Sequence, residues 1–166
     1  MRLWDTDAIS NSLKDPGLAA RFQVAFLGNE VRVSAHTILE LTAGRPTDAQ
    51  KAVVASFLAV TGLVQVPEAS DYHRAGEWLG KLPPRVIGKK KCPKCSAEIK
   101  PGKGEKKDAR FRDSFDAILA SVAWSRNWPV VTYNTGDFKQ FQPMAPGGEI
   151  KRPEDALPAP QQSPVP

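Results

Sequence analysis

Short apolar runs alternate with helix-spaced segments along almost the whole chain, and that alternation constrains the fold more than any other feature. "MRLW", "EVRVS", "LVQVP" and "PVVTYN" each read as a strand, and "GEIKRP" as a last short edge strand. Between them "AISNSLKD", "GLAARFQVAFLG", "AHTILELTAG", "TDAQKAVVASFLAVTG", "ASDYHRAGEWLGKL" and "DSFDAILASVAWSRN" carry helical spacing. Thr47 or Asp48 is the expected cap of the fourth of these, with Gly62 as its stop, and Gly44 closes the third. Apolar strands alternating with helices predict an α/β class, a mostly parallel sheet covered by helices on both faces. In such sheets ligands bind beyond the carboxyl ends of the strands.

A chain of 166 residues, 41% apolar and 25% charged, is one soluble-type domain with enough residues for a proper core. No apolar run approaches the roughly 18 residues a membrane span needs. Met1 leads directly into "RLWDTDAIS" without an apolar signal core, so a cytoplasmic protein is expected. Its two cysteines then read as reduced thiols or metal ligands. The proline-rich end, residues 156–166, is expected to be a disordered tail after a domain spanning 1–155.

The carboxylates fall in a pattern. Asp5 follows the first strand and Asp137 follows "PVVTY", both at the same edge of a parallel sheet. Glu40 lies among Ile38, Leu39 and Leu41, and Asp116 between Phe115 and "AIL". Any one of these can be an ordinary turn or cap residue, and Asp7 and Asp113 fit that reading well. Four acids arriving near one edge are different, because converging carboxylates repel and are costly to bury. A hard divalent cation, Mg²⁺ or Mn²⁺, removes that cost and can activate water for attack on a phosphodiester.

"RLWDTDAIS", "SAHTILELTAG", "DSFDAILASVAWSRNWPVVTYNTGDF" and "GEIKRP" together resemble the successive blocks of a PIN domain, most closely the VapC-type toxins of bacterial toxin–antitoxin pairs. The resemblance runs to about Pro153. It implies an α/β/α sandwich and a Mg²⁺- or Mn²⁺-dependent ribonuclease, acting on an RNA such as tRNA, held by an antitoxin and usually a homodimer. By position it assigns the acids to Asp5, Glu40, Asp116 and Asp137. Asp5, Asp116 and Asp137 would be metal ligands and Glu40 a ligand or an outer base. Thr6, Thr132 and Asn134 match polar positions that orient ligands or water. The rival reading is a PIN-like module that binds RNA without catalysis. A DNA nuclease also stays open, since nothing here reads a 2′-hydroxyl.

One segment departs from the family pattern. Between about Arg85 and Arg112 stands "RVIGKKKCPKCSAEIKPGKGEKKDARFR". From Lys89 to Lys107 it holds eight lysines and two glutamates, net +6, so the rest of this +5 chain sums to −1. Cys92 and Cys95 have the spacing of a zinc knuckle, but four ligands are needed and no second pair follows. The segment therefore reads either as a Zn²⁺ site or as an open basic loop. Lys89, Lys90, Lys91 and Lys94 suit an RNA backbone, giving grip rather than base specificity. Trp4, Trp78, Trp124 and Trp128 read as core or interface residues.

Overall fold

The computed structural model describes residues 1–43, 45–82 and 114–159, with the backbone of 90–91 and 98–99. Cys92, Cys95, Lys89, Lys94, Asp113, Gly44, the side chains of Lys90 and Lys91, and residues 160–166 lie outside the described residues. The order is β1 (Arg2–Trp4), α1 (Thr6–Ser12), α2 (Pro16–Leu27), β2 (Val31–Ser34), α3 (Ala35–Ala43), α4 (Asp48–Ala59), β3 (Val64–Gln65) and α5 (Ala69–Lys81). β4 (Lys90–Lys91) and β5 (Glu98–Ile99) form an antiparallel pair of their own within the basic segment. Then come α6 (Ser114–Trp124), β6 (Val130–Val131), α7 (Thr135–Lys139), a 3₁₀ turn at Gln142–Met144, β7 (Ile150–Lys151) and α8 (Pro153–Ala156).

The main sheet has the order β3-β2-β1-β6-β7, and every pairing in it is parallel. Period-2 alternation divides its central strands between two cores. Trp4, Val33 and Val131 face one layer with Ala8, Ile9, Phe22 and Phe57 of α1, α2 and α4. Leu3 and Val130 face the other, with Trp78 of α5, Phe138 of α7 and the interior of α6. The expected three-layer α/β/α arrangement is what forms.

In α6 Ala117 through Ala123 are all buried. A helix apolar on every side belongs in the centre, here packed against α5 and the sheet. Its two ends reach the surface: Phe115 is exposed and Trp124 is partly so. α4 begins as anticipated, with Thr47 and Gln50 in a reciprocal capping box. It stops at Ala59, before the expected glycine, because Val60 is already extended (φ −110°, ψ 114°). Gly62 instead makes the turn into β3 at φ +85°, a conformation that costs glycine little.

The chain's end also departs from expectation. Ala156 and Leu157, which the sequence reading placed in the tail, are buried in the core around Trp4. Arg21 holds that turn, donating to the carbonyls of Glu154, Leu157 and Pro158 at 2.7–3.0 Å. Two apolar residues with a fixed backbone are enough to recruit the first residues of a proline-rich end.

Candidate active site

Register decides what emerges at the carboxyl edge. β1 and β6 are neighbours, and Trp4 pairs with Val131, so the next residues, Asp5 and Thr132, leave the sheet side by side. The Asp5 N–H continues the ladder to the Val131 carbonyl at 3.0 Å. This is also where the strand order reverses, with β2 on one side of β1 and β6 on the other, the place where open parallel sheets leave a crevice.

Asp5 is the cap of α1, in extended backbone, and its Oδ1 accepts from the Thr6 N–H at 2.7 Å. Its Oδ2 accepts from the Thr132 hydroxyl at 3.0 Å. Among the described residues no lysine or arginine pairs with it; its charged neighbours are acids. Burial first, then the carboxylates of Asp7 and Asp116, push the Asp5 carboxyl up to about 8, against the opposing pull of the Thr6 N–H and the Thr132 hydroxyl. A carboxyl held that high in a crevice is a functional-site signature as well as a strain on the fold.

Of the other expected residues, Glu40 connects to this centre by a hydrogen bond, Asp116 through its charge, and Asp137 by way of Asn134. Ser34 ends β2 and its Oγ caps the turn into α3, accepting from the Thr37 N–H at 3.0 Å. α3 then carries Glu40, whose Oε2 accepts from the Thr6 hydroxyl. The apolar neighbours do not enclose it: Glu40 and Leu39 are both exposed, because Thr37 and Leu41 form the buried side of α3. One turn earlier on the same face, His36 packs its ring against Phe115 at 5.1 Å and Tyr72 at 6.0 Å. Burial lowers its pKa and Glu40 opposes that shift. Asp116 sits in the first turn of α6, close enough to Asp5 to raise its pKa. Asp137 lies in the first turn of α7, where its Oδ2 accepts from the Asn134 side-chain amide.

The acids thus meet in pairs and through hydroxyls and amides, and they do not form a ready-made cage. Among the described residues no three of His, Cys, Asp or Glu are grouped so as to hold a metal ion. The donors at the crevice are nevertheless all hard oxygens. Asp5 and Asp116 supply two carboxylates, and Mg²⁺ or Mn²⁺ commonly takes one or two of them together with waters and substrate phosphate. That donor set fits such an ion.

Asp7 is the residue the sequence reading missed. Read there as a turn or cap residue, it reaches instead across the crevice to the segment after β6. Its Oδ1 accepts from the Thr132 hydroxyl at 3.0 Å and the Tyr133 N–H at 3.3 Å, and its Oδ2 from the Asn134 N–H at 3.0 Å. This explains why the expected strand "PVVTYN" is only Val130–Val131: a carboxylate takes the amides that a longer strand would give to the ladder. The signal was present as a second acid two residues after Asp5, but local spacing shows only a helix start.

No family model matches the chain, and no curated protein matches it. Among solved structures it is similar to FitAB bound to the IR36 DNA fragment, with a TM-score of 0.50 and 20% identity over 92% of this chain and 95% of that one. It is equally similar to FitAcB from Neisseria gonorrhoeae, with a TM-score of 0.50 and 20% identity over 93% and 99% of the two chains. At that identity the likeness is one of fold, and it extends over nearly the whole length of both chains: this protein has a PIN-like α/β/α fold around a parallel sheet.

Proposed function

We propose that the protein is the toxin of a toxin–antitoxin pair, of VapC type, and that it acts as a metal-dependent endoribonuclease. The observation that carries this reading is Asp5: a half-buried carboxyl, pushed up by loss of solvent and then by neighbouring acids, at the crevice of a PIN-like sheet. Such an arrangement is costly unless a cation completes it. Mg²⁺ or Mn²⁺ held by Asp5 and Asp116 would neutralise the carboxylates and polarise water and phosphate for in-line hydrolysis.

The chain's own groups have distinct parts in that reading. Asp5 and Asp116 bind from β1 and α6. Glu40, bonded to the Thr6 hydroxyl on the exposed side, would take a proton from an approaching water. Asn134 orients Asp137. Lys89, Lys90, Lys91 and Lys94 supply positive charge for an RNA backbone, a role assigned from sequence alone. The similar fold within FitAB on DNA supports a partner protein that reaches DNA. A homodimer belongs to the same proposal.

The test is cleavage of labelled bulk tRNA in Mg²⁺ or Mn²⁺, comparing wild type with Asp116→Asn and with EDTA. Cleavage lost in both controls, by about 10²-fold or more for the substitution, is the expected result. RNA binding without metal-dependent cleavage would replace this reading with a non-catalytic RNA-binding module.

A further inference from the structure

Asp5 and Asp7 stand two residues apart at the start of α1, yet they face different tasks. Asp5 is met by one backbone N–H, from its own helix. Asp7 is met by two consecutive backbone N–H groups from a segment 126 and 127 residues away in sequence. Those amides have left the sheet, because β6 ends at Val131. Beyond them Asn134 opens α7 and its side chain holds Asp137.

We propose that Asp7 is a positioning residue: its carboxylate fastens the turn from Thr132 to Asn134, and through that turn sets where Asp137 stands relative to Asp5. The tie needs a carboxylate. Both oxygens accept, one from Tyr133 and Thr132 and the other from Asn134, and an amide at position 7 would turn a donor toward one of those groups. It also crosses elements: α1 begins at the central strand, whereas Asp137 belongs to α7, and Asp7 joins them directly. The Thr132 hydroxyl has a single proton and stands 3.0 Å from both Asp5 and Asp7, so the two acids share one donor at this turn. The consequence for catalysis rests on the nuclease reading above; the tie itself does not.

The experiment has one arm for each. Amide hydrogen exchange on Asp7→Ala should quicken at Tyr133 by about tenfold, the loss expected for a charge-assisted hydrogen bond, and by less at Asn134, whose N–H also donates to the Thr132 hydroxyl oxygen at 3.0 Å, with Val33 in β2 unchanged. Asp7→Asn covers the case in which the alanine variant does not fold. Its amide oxygen can keep the Asn134 N–H while its NH₂ faces Thr132, so Tyr133 alone should lose protection. In cleavage assays Asp7→Ala should lower kcat by roughly 10- to 100-fold with KM moved less than about threefold, as for a misplaced catalytic group. The double variant with Asp137→Asn should then lose no more than Asp137→Asn alone. Exchange at Tyr133 and Asn134 as in wild type overturns the tie, and losses that multiply in the double variant overturn its action through Asp137. If wild type cleaves no RNA, the nuclease reading fails while the exchange pattern still decides the tie.

Discussion

Asp5, half-buried, and Asp71, buried, both stand near the start of a helix, and the protein treats them in opposite ways. Asp71, in the first turn of α5, is almost wholly enclosed, its side chain 3% exposed. Every approach to it is a donor: the Glu68 N–H at 3.0 Å, and Arg74, Arg126 and the Ser125 hydroxyl each at 3.3 Å. Arg126 and Ser125 tie the end of α6 to α5 through this one carboxylate, and Arg74 reaches from it to Ser121. Among the described residues Asp5 has two neutral donors and, for charged company, Asp7 and Asp116. Asp71 is an acid satisfied by the fold. Asp5, among the described residues, is an acid left short of positive charge, which is how a carboxylate kept for a ligand differs from one kept for structure.

That contrast breaks or sharpens under substitution. The largest effect is expected at Asp71. Asp71→Ala should cost about 3 kcal/mol in denaturant unfolding, because it strands two arginines and an N-terminal amide. A loss below about 1 kcal/mol would mean that the half-exposed arginines simply turn to water, and the contrast would be one of geometry only.

Asp5→Asn is expected to act in the opposite direction, stabilising the metal-free protein at neutral pH by at least ~1 kcal/mol. The sign follows from a folded value of about 8 against an ordinary 3.8. The folded state holds the proton more tightly, so wild-type stability is greatest below pH 4 on this account and falls as pH rises from about 4 to 8. Asn removes that slope. Thermal unfolding across this window, with and without Mn²⁺, measures it: added metal should raise the Tm of wild type and not of Asp5→Asn. An Asp5→Asn variant less stable than wild type at pH 7 without metal would refute the strained-carboxyl view.

The smallest effect is expected from Thr132→Val, which removes the hydroxyl between Asp5 and Asp7 while keeping the shape. About 1 kcal/mol should be lost. The carboxyl of Asp5 should move up further, since that hydroxyl favours its ionised form, and NMR titration of Asp5 reads the shift. An unchanged Asp5 titration would assign the Thr132 proton to Asp7.

Much of this molecule was legible in its sequence. Apolar strands alternating with helices determined the α/β class and the parallel sheet, because a strand buried on both faces has to be apolar throughout. Position after a strand or early in a helix singled out Asp5, Asp116 and Asp137, and the residue types before α4 narrowed its cap to Thr47 or Asp48. What tertiary structure decided is how those groups meet. The pairing of Trp4 with Val131 sets Asp5 beside Thr132, and no local pattern specifies which strands become neighbours. Asp7 looked like a local cap and became a bond across the crevice. Ala156 and Leu157 looked like tail and became core. Local sequence determines which backbone a residue prefers and whether its side chain seeks burial. Which partner it finds there depends on contacts more than a hundred residues apart, and those exist only once the sheet has closed.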